Sequence, residues 1–509
     1  MTPTPIKSIC IVGGGTAGWM TAAGLSNKFS DLDIDITLIE SEQIGTVGVG
    51  EATLPHIRFF NNTLGISEQD FMKATQATFK LGIEFCDWGN IGDAYIHPFG
   101  DFGMPINGIE FYHFWTKLCQ NSNTHRLDSY SYPVILAQNN KFGHPSEDIR
   151  QIESTLGYAY QFDSSLYGRF LRDYAQSRNV IRKEGKIVTT HLNAQNGNVQ
   201  SVQLEDGSRH TADLFIDCSG FRGLLIEQAL RAGYEDWSPW LPCNRAIAVA
   251  SERLTDLPPY TRATACKAGW QWRIPLQHRT GNGYVYCSDY ISDDAAAGDL
   301  LSKLNSAPLT DPKQLYFKTG RRKTFWSKNV VAIGLSAGFL EPLESTSIHL
   351  IQEGITELIQ LFPDMHMRTS DRDEYNRRMS LNYERVRDFL LLHYVATQRD
   401  DSPMWQYFQN MTLPDSLQAK IDAWKTRGHI MKYQFGVFLP ASWVAVMIGQ
   451  NLIPAHYDPR VDMLSHDRLK AEAESLRGAV RDGVDRAMRH DAYIQGYGAA
   501  SGTFAQRSG

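Results

Sequence analysis

Three glycines near the start of the chain, Gly13, Gly15 and Gly18, stand in G-x-G-x-x-G spacing and restrict the fold more than any other stretch. Before them, Ile6 and the apolar run 9–12 read as a short strand. After them, the alanine-rich stretch 16–28, opening with Thr16 and Ala17, reads as a helix, and residues 34–39 form a second strand ending at Glu40. In such a unit the first glycine permits the tight turn and the second lets backbone approach a pyrophosphate. The third allows helix and strand to pack closely, and the helix N-terminus is left aimed at an anion. Glu40 falls where a carboxylate meets ribose hydroxyls, and an acid there disfavours a 2′-phosphate, which leaves FAD or NAD.

The chain has 509 residues, enough for two to four structural units and a large core without disulfide or metal staples. Lys and Arg total 50 against 56 Asp and Glu, a net charge of −6 that offers no field for nucleic acid. Seven scattered cysteines without a C-x-x-C argue against a disulfide framework or a cysteine zinc site, so no metal is expected and the chain reads as reduced and cytoplasmic. No apolar run approaches the ~18 residues that span a bilayer, and the run 9–12 is far shorter than a signal peptide's core.

The pattern predicts an α/β protein: a Rossmann-like FAD-binding domain with a mixed sheet, followed by a largely helical C-terminal region. Residues 1–360 form the FAD-binding module, with a β-rich segment inserted at about 240–325. Residues 361–495 form a helical substrate region, and 496–509 a flexible Gly/Ser/Ala-rich tail. Residues 41–110 look loop-rich, 164–178 helical, and 180–217 sheet-forming, with a hairpin turn at Asp206-Gly207. The run 329–333 is a buried strand leading through Gly334 and Leu335 to a helix at 347–361. Many FAD proteins bring such an element back over the ribityl–pyrophosphate region, and its plainer reading is one more βα turn of the sheet.

Four signatures in order carry a family resemblance: Gly13-Gly14-Gly15-Thr16-Ala17-Gly18-Trp19; Gly48-Val49-Gly50-Glu51-Ala52-Thr53; Trp270-x-Trp272-x-Ile274-Pro275; and Pro342-Leu343-Glu344-Ser345-Thr346. From about residue 6 to about 460 the chain resembles the flavin-dependent halogenases of the tryptophan-halogenase type. The resemblance implies that reduced FAD (FADH₂) and O₂ oxidise chloride or bromide to hypohalous acid, which then halogenates an electron-rich aromatic substrate at a separate site. It implies a separate flavin reductase and a small aromatic substrate as partners, and leaves a homodimer open. Gly50, Ala52, Ile187, Gly334, Leu335 and Ile348 would join the first glycine loop and Glu40 around the cofactor.

The family lysine, which holds or carries the oxidant, matches Lys80, flanked by Phe79 and Leu81. The family glutamate, which orients the oxidant or takes the ring proton, matches Glu344. Ser345 follows it, and Thr346 and Ser347 match positions whose backbone N–H groups bind halide. Trp270, Trp272, Ile274 and Pro275 would wall substrate off from flavin, and His97 and Phe99 would line the aromatic pocket. Taken alone, Lys80 reads as an amphipathic surface lysine, Glu344 as an acid at a helix N-terminus and His97 as a loop histidine.

Two departures stand out. The family commonly has Gly where this chain has Ser347, which bears on halide binding. The tyrosine pair of tryptophan-specific members is missing from the stretch 441–447 around Trp443. An uncharged indole or similar arene is therefore expected in preference to free tryptophan. The competing readings are a flavin hydroxylase of the same fold and a non-catalytic FAD-binding protein.

Overall fold

A computed structural model of the chain describes residues 4–43, 50–121, 125–433 and 436–501. Five parallel strands lie in the order Ile181–Glu184, Asp35–Glu40, Ser8–Val12, Leu214–Asp217, Val330–Ala332, with Trp326–Ser327 antiparallel at the edge. By chain position this order is third, second, first, fourth, fifth. The winding therefore reverses beside Ser8–Val12, and the crevice at the carboxyl ends of the strands opens there. Helices Thr16–Lys28 and Ser347–Gln360 pack against each other beside this sheet. Ile9, Cys10, Ile11 and Val12 are all buried, which is why the strand reads as a continuous apolar run.

A second sheet has seven strands in the order Lys313–Tyr316, Arg245–Glu252, Arg279–Tyr286, Gly269–Pro275, Thr261–Cys266, Gly82–Cys86, Ala94–Pro98. All pairs are antiparallel except Thr261–Cys266 with Gly82–Cys86. The sheet is thus wider than the expected 240–325 insertion, because it takes in the hairpin at 82–98. A third, three-stranded sheet joins Gly50–Ala52, Ala159–Asp163 and Thr78–Lys80.

These strands and the helices His56–Thr63 and Glu68–Thr75 correct the reading of 41–110 as loop. Each element is too short for its period to stand out among glycines. The stretch 180–217 also divides. Ile187–Leu192, Val199–Leu204 and Arg209–Thr211 form a separate antiparallel sheet, whereas Leu214–Asp217 joins the central parallel one.

The helix Thr369–Val395 buries a stripe of Tyr375, Met379, Tyr383, Val386 and Leu390, spaced three or four residues apart. The tail needs correction where it is described. Ser501 N–H donates to Gln277 Oε1 at 2.7 Å, and Ala499 and Ser501 are buried, so residues 499–501 are packed while Gly496 and Gly498 stay exposed; 502–509 lie outside the described residues. Among the described residues, no helix is long and apolar enough to cross a membrane.

Candidate active site

At the carboxyl end of Ser8–Val12 the chain turns through Gly13, whose φ of +110° favours glycine; a Cβ there would also run into the Cys218 carbonyl. Gly15 caps the helix Thr16–Lys28 without a side-chain bond, and the first turn holds no acid. Its N–H groups are thus left for an anion. Above this loop lies a cavity of about 620 Å³. It is lined by Gly13, Gly15, Thr16, Ala17, Glu40, Gly50, Ala52, Ile187, Gly334, Leu335 and Ile348, eleven of the twelve residues expected around a cofactor. The exception is Gly18, which packs beneath the loop where a Cβ would strike the Gly13 carbonyl.

The glycine cradle, the open N–H groups and the acid at the strand end fit a dinucleotide such as FAD. Glu40 is engaged, however. Arg182 Nε binds Oε1, Trp19 Nε1 donates to Oε2 at 3.3 Å, and the carboxylate lies against Gly14.

Trp270, Trp272 and Ile274 alternate along Gly269–Pro275 and all three face this cavity. Trp270 Nε1 donates to Glu341 Oε2 at 2.9 Å, and Tyr394 donates its hydroxyl to the same oxygen at 2.5 Å. Burial pushes the Glu341 carboxyl up to about 7. Pro275 does not face the cavity; its carbonyl accepts a hydrogen bond from Thr78 Oγ1 at 2.8 Å, tying the tryptophan strand to the strand of Lys80.

Lys80 ends the strand Thr78–Lys80 and is fully buried, not an amphipathic surface lysine. Its Nζ donates to Ser345 Oγ at 2.8 Å and to the Thr53 carbonyl at 3.1 Å, and sits 5.0 Å from the centre of the Phe99 ring. Burial presses the ammonium down to about 7, against the opposing pull of Glu344. Ser345 lines the cavity in a left-handed conformation (φ +59°), so the serine touched by Lys80 also touches the cofactor-type space.

Glu344 is fully buried as well. His97 Nδ1 lies 3.0 Å from both carboxylate oxygens, and His393 Nε2 lies 2.7 Å from Oε1, although its N–H points off the line of that contact. Burial alone would raise this carboxyl, but the two imidazoles more than offset it and hold it near 2. His97 stands on the strand Ala94–Pro98, not in a loop, and its Nε2 is buried without a hydrogen-bond partner. His393 Nδ1 meets Tyr95 Oη at 3.2 Å, and Gln450 Nε2 donates to that hydroxyl, also at 3.2 Å. His393, Tyr95, Gln450 and Glu341 escaped sequence reasoning. The available signal was a histidine following Leu390-Leu391-Leu392 in an otherwise apolar helical run.

The helix Ser347–Gln360 begins behind Thr346 with no acid in its first turn, so its N-terminal N–H groups suit an anion. Ser347 lines the cavity; Thr346 does not, and its buried Oγ1 has no partner. Trp443 also lies away from the cavity, 5.0 Å from the Phe389 ring, which stacks on Phe438 at 3.8 Å. Phe389 in turn is 5.6 Å from His97. Gly48 and Val49 of the second signature lie outside the described residues.

The family model for tryptophan halogenases matches residues 8–466. The tryptophan 6-halogenase SttH of Streptomyces toxytricini is 34% identical over 515 residues, covering 95% of this chain and 97% of its own length. The tryptophan 7-halogenase RebH of Lentzea aerocolonigenes is 32% identical, covering 94% and 95% respectively. Among solved structures, BrvH, a flavin-dependent halogenase from Brevundimonas sp. BAL3, superposes with a TM-score of 0.93 at 44% identity, covering 96% of this chain and 99% of that one. A match that runs unbroken through the glycine cradle, the tryptophan strand and the Lys80 and Glu344 segments leaves one assignment: the chain belongs to the tryptophan halogenase family of flavin-dependent enzymes.

Proposed function

We propose that this protein halogenates an electron-rich, indole-type arene, with Lys80 delivering the halogen and Glu344 stabilising the ring as it reacts. The observation that carries this reading is the placing of a buried lysine and a buried carboxylate beyond Ser345, off the cofactor-type cavity. The Gly13–Gly15 cradle would hold FAD, which, once reduced by a separate flavin reductase, would supply hypohalous acid from O₂ and halide. The open N–H groups behind Thr346 and Ser347 suit the halide.

Hydrogen-bond accounting at Lys80 favours the neutral amine. Its two hydrogens satisfy Ser345 Oγ and the Thr53 carbonyl, which leaves the lone pair in the remaining direction. That nitrogen takes the halogen from hypohalous acid and releases water, and a ring carbon then takes it from nitrogen. The ring passes through a cation that the charge on Glu344 stabilises. The ring proton leaves toward Glu344 and is passed back to the lysine nitrogen left when the nitrogen–halogen bond breaks, which restores the amine and the carboxylate. The wall of Trp270, Trp272 and Ile274 speaks against a hydroxylase, which needs its substrate against the flavin.

The test is mass spectrometry of an indole reaction containing a flavin reductase, NADH, FAD, O₂ and either chloride or bromide. Halogenated indole is expected from the wild type and none from Lys80→Ala, with FAD affinity unchanged. Product from Lys80→Ala at near wild-type rate would defeat the assignment. Turnover should also rise with pH through an inflection near 7, where the buried lysine loses its proton; a rate that falls through that inflection would make the ammonium the working form.

A further inference from the structure

One face of the helix Thr369–Val395 runs outward from the Glu344 carboxylate. His393 meets that carboxylate, Phe389 lies one turn out, and Arg385 lies one turn beyond it. Eight residues separate His393 from Arg385, about 12 Å along the axis at ~1.5 Å per residue. Arg385 Cζ sits 3.8 Å from the centre of the Tyr433 ring, and Lys420 Nζ sits at the same distance from that ring and 4.2 Å from Trp443. The cations thus cap the outer end of an aromatic run formed by Phe389, Phe438 and Trp443.

Among the described residues, neither cation meets a carboxylate. Lys420 is fully buried and its one hydrogen bond is to the Met431 carbonyl, while Arg385 Nε is buried with no partner. The nearby acid, Asp388, is engaged by Arg387 and Ser416 and accepts from the Tyr433 hydroxyl at 3.4 Å, so its charge reaches Lys420 without contact and is shared with Arg387. A buried ammonium with no carboxylate in contact is costly, and a second cation beside it adds to the cost.

We infer that Arg385 and Lys420 form an anion subsite, and that the arene this protein takes carries a carboxylate on a short tail and no ammonium. The placement rests on the halogenase reading, which puts the reacting ring at the Lys80 and Glu344 end. With its ring at Glu344 and its tail along Phe389, an indole bearing a short aliphatic chain would match the distance from Glu344 to Arg385. The carboxylate supplies the missing counter-charge, whereas an ammonium on the same tail would meet two positive charges. Burial and the field of Arg385 press Lys420 down to about 8 against the weaker pull of Asp388, so anion binding near that pH should draw a proton onto the lysine.

The test is titration calorimetry on the full chain, without flavin or halide, comparing indole-3-propionate with its neutral isostere indole-3-propionamide. The acid should bind about tenfold tighter, the size of one charge-assisted contact. That ratio should fall toward one in Arg385→Met and in Lys420→Gln. Arg385 is only partly buried, so its variant keeps the test open if the lysine variant does not fold. Equal affinities in the wild type, or a ratio that survives both substitutions, would overturn the subsite. Selective binding of the acid by a chain that makes no halogenated product would defeat the halogenase reading and leave the subsite standing. Halogenated indole with no preference for the acid would do the reverse.

Discussion

Lys80 is held in place at a cost to stability. An unfolded lysine titrates near 10.5 and this one near 7, so between those values the unfolded chain binds more protons than the native one. Stability therefore rises with pH across that window, and the full cost is felt below about 7. Lys80→Met keeps the stem and drops the charge. It should end halogenation while raising the melting temperature at pH 6 by about 2–5 °C, with the difference shrinking toward pH 9; a lower melting point at pH 6 would contradict the argument. Glu344 has the opposite sign. Its carboxyl falls from 4.5 to about 2 on folding, so it stabilises above about 4.5 and loses that contribution as pH falls toward 2. Glu344→Gln should flatten this acid limb in a series of calorimetric scans, and a limb as steep as the wild type's would refute the His97–His393 clamp. Both residues were legible from short motifs, but their partners were not. Nothing local to residue 393 announces that a helix about 50 positions downstream will bring an imidazole to Glu344.

At the scale of the element, the tryptophan wall depends on a residue across the sheet from it. Alternation along Gly269–Pro275 was enough to read Trp270, Trp272 and Ile274 onto one face. The register that places Gly283 opposite Trp272 was not, because strand pairing is fixed by the whole sheet. A Cβ on Gly283 would overlap the Trp272 ring. Gly283→Ala should therefore displace the wall, which appears as weaker FAD binding and as peroxide released per halogenated product. Gly298→Ala, in the helix Asp293–Ser302 with open space at its Cβ, should change neither. If both variants behaved like the wild type, the wall would not rest on that glycine. The segment 41–110 shows the other limit of sequence reading. Strands such as Thr78–Lys80 are too short to display a period, and their existence follows from neighbours far away in the chain.

For the whole molecule, the question is what holds the strand of Lys80 from behind. One edge pairs with Ala159–Asp163, but the Phe79 N–H is taken by His490 Nε2 at 3.2 Å, while His490 Nδ1 meets the Leu257 carbonyl at 2.9 Å. That bridge requires the neutral imidazole, and burial holds His490 near 4. The Phe79 ring stacks on Phe142 at 4.0 Å, and Lys141–Phe142 pairs with Met488–Arg489. Gln277 donates both to the Ala77 carbonyl at 2.6 Å and to the Ala499 carbonyl at 3.1 Å. Residues 488–501 thus clamp the strand of Lys80, although the family match ends at residue 466 and the composition from 496 onward reads as a loose tail. The glycine cradle belongs to a different sheet. A chain ending at Ala487 should therefore bind FAD within about twofold of the full protein, since distant sites act independently. Its kcat for indole should fall at least about tenfold through a misplaced Lys80, with KM less affected. His490→Gln, which can still donate and accept, should recover part of the loss that His490→Leu incurs. Fluorescence titration of FAD beside steady-state kinetics separates the outcomes. Parallel losses of FAD binding and turnover would mean the clamp supports the whole fold, and unchanged kcat would mean it supports nothing at the site.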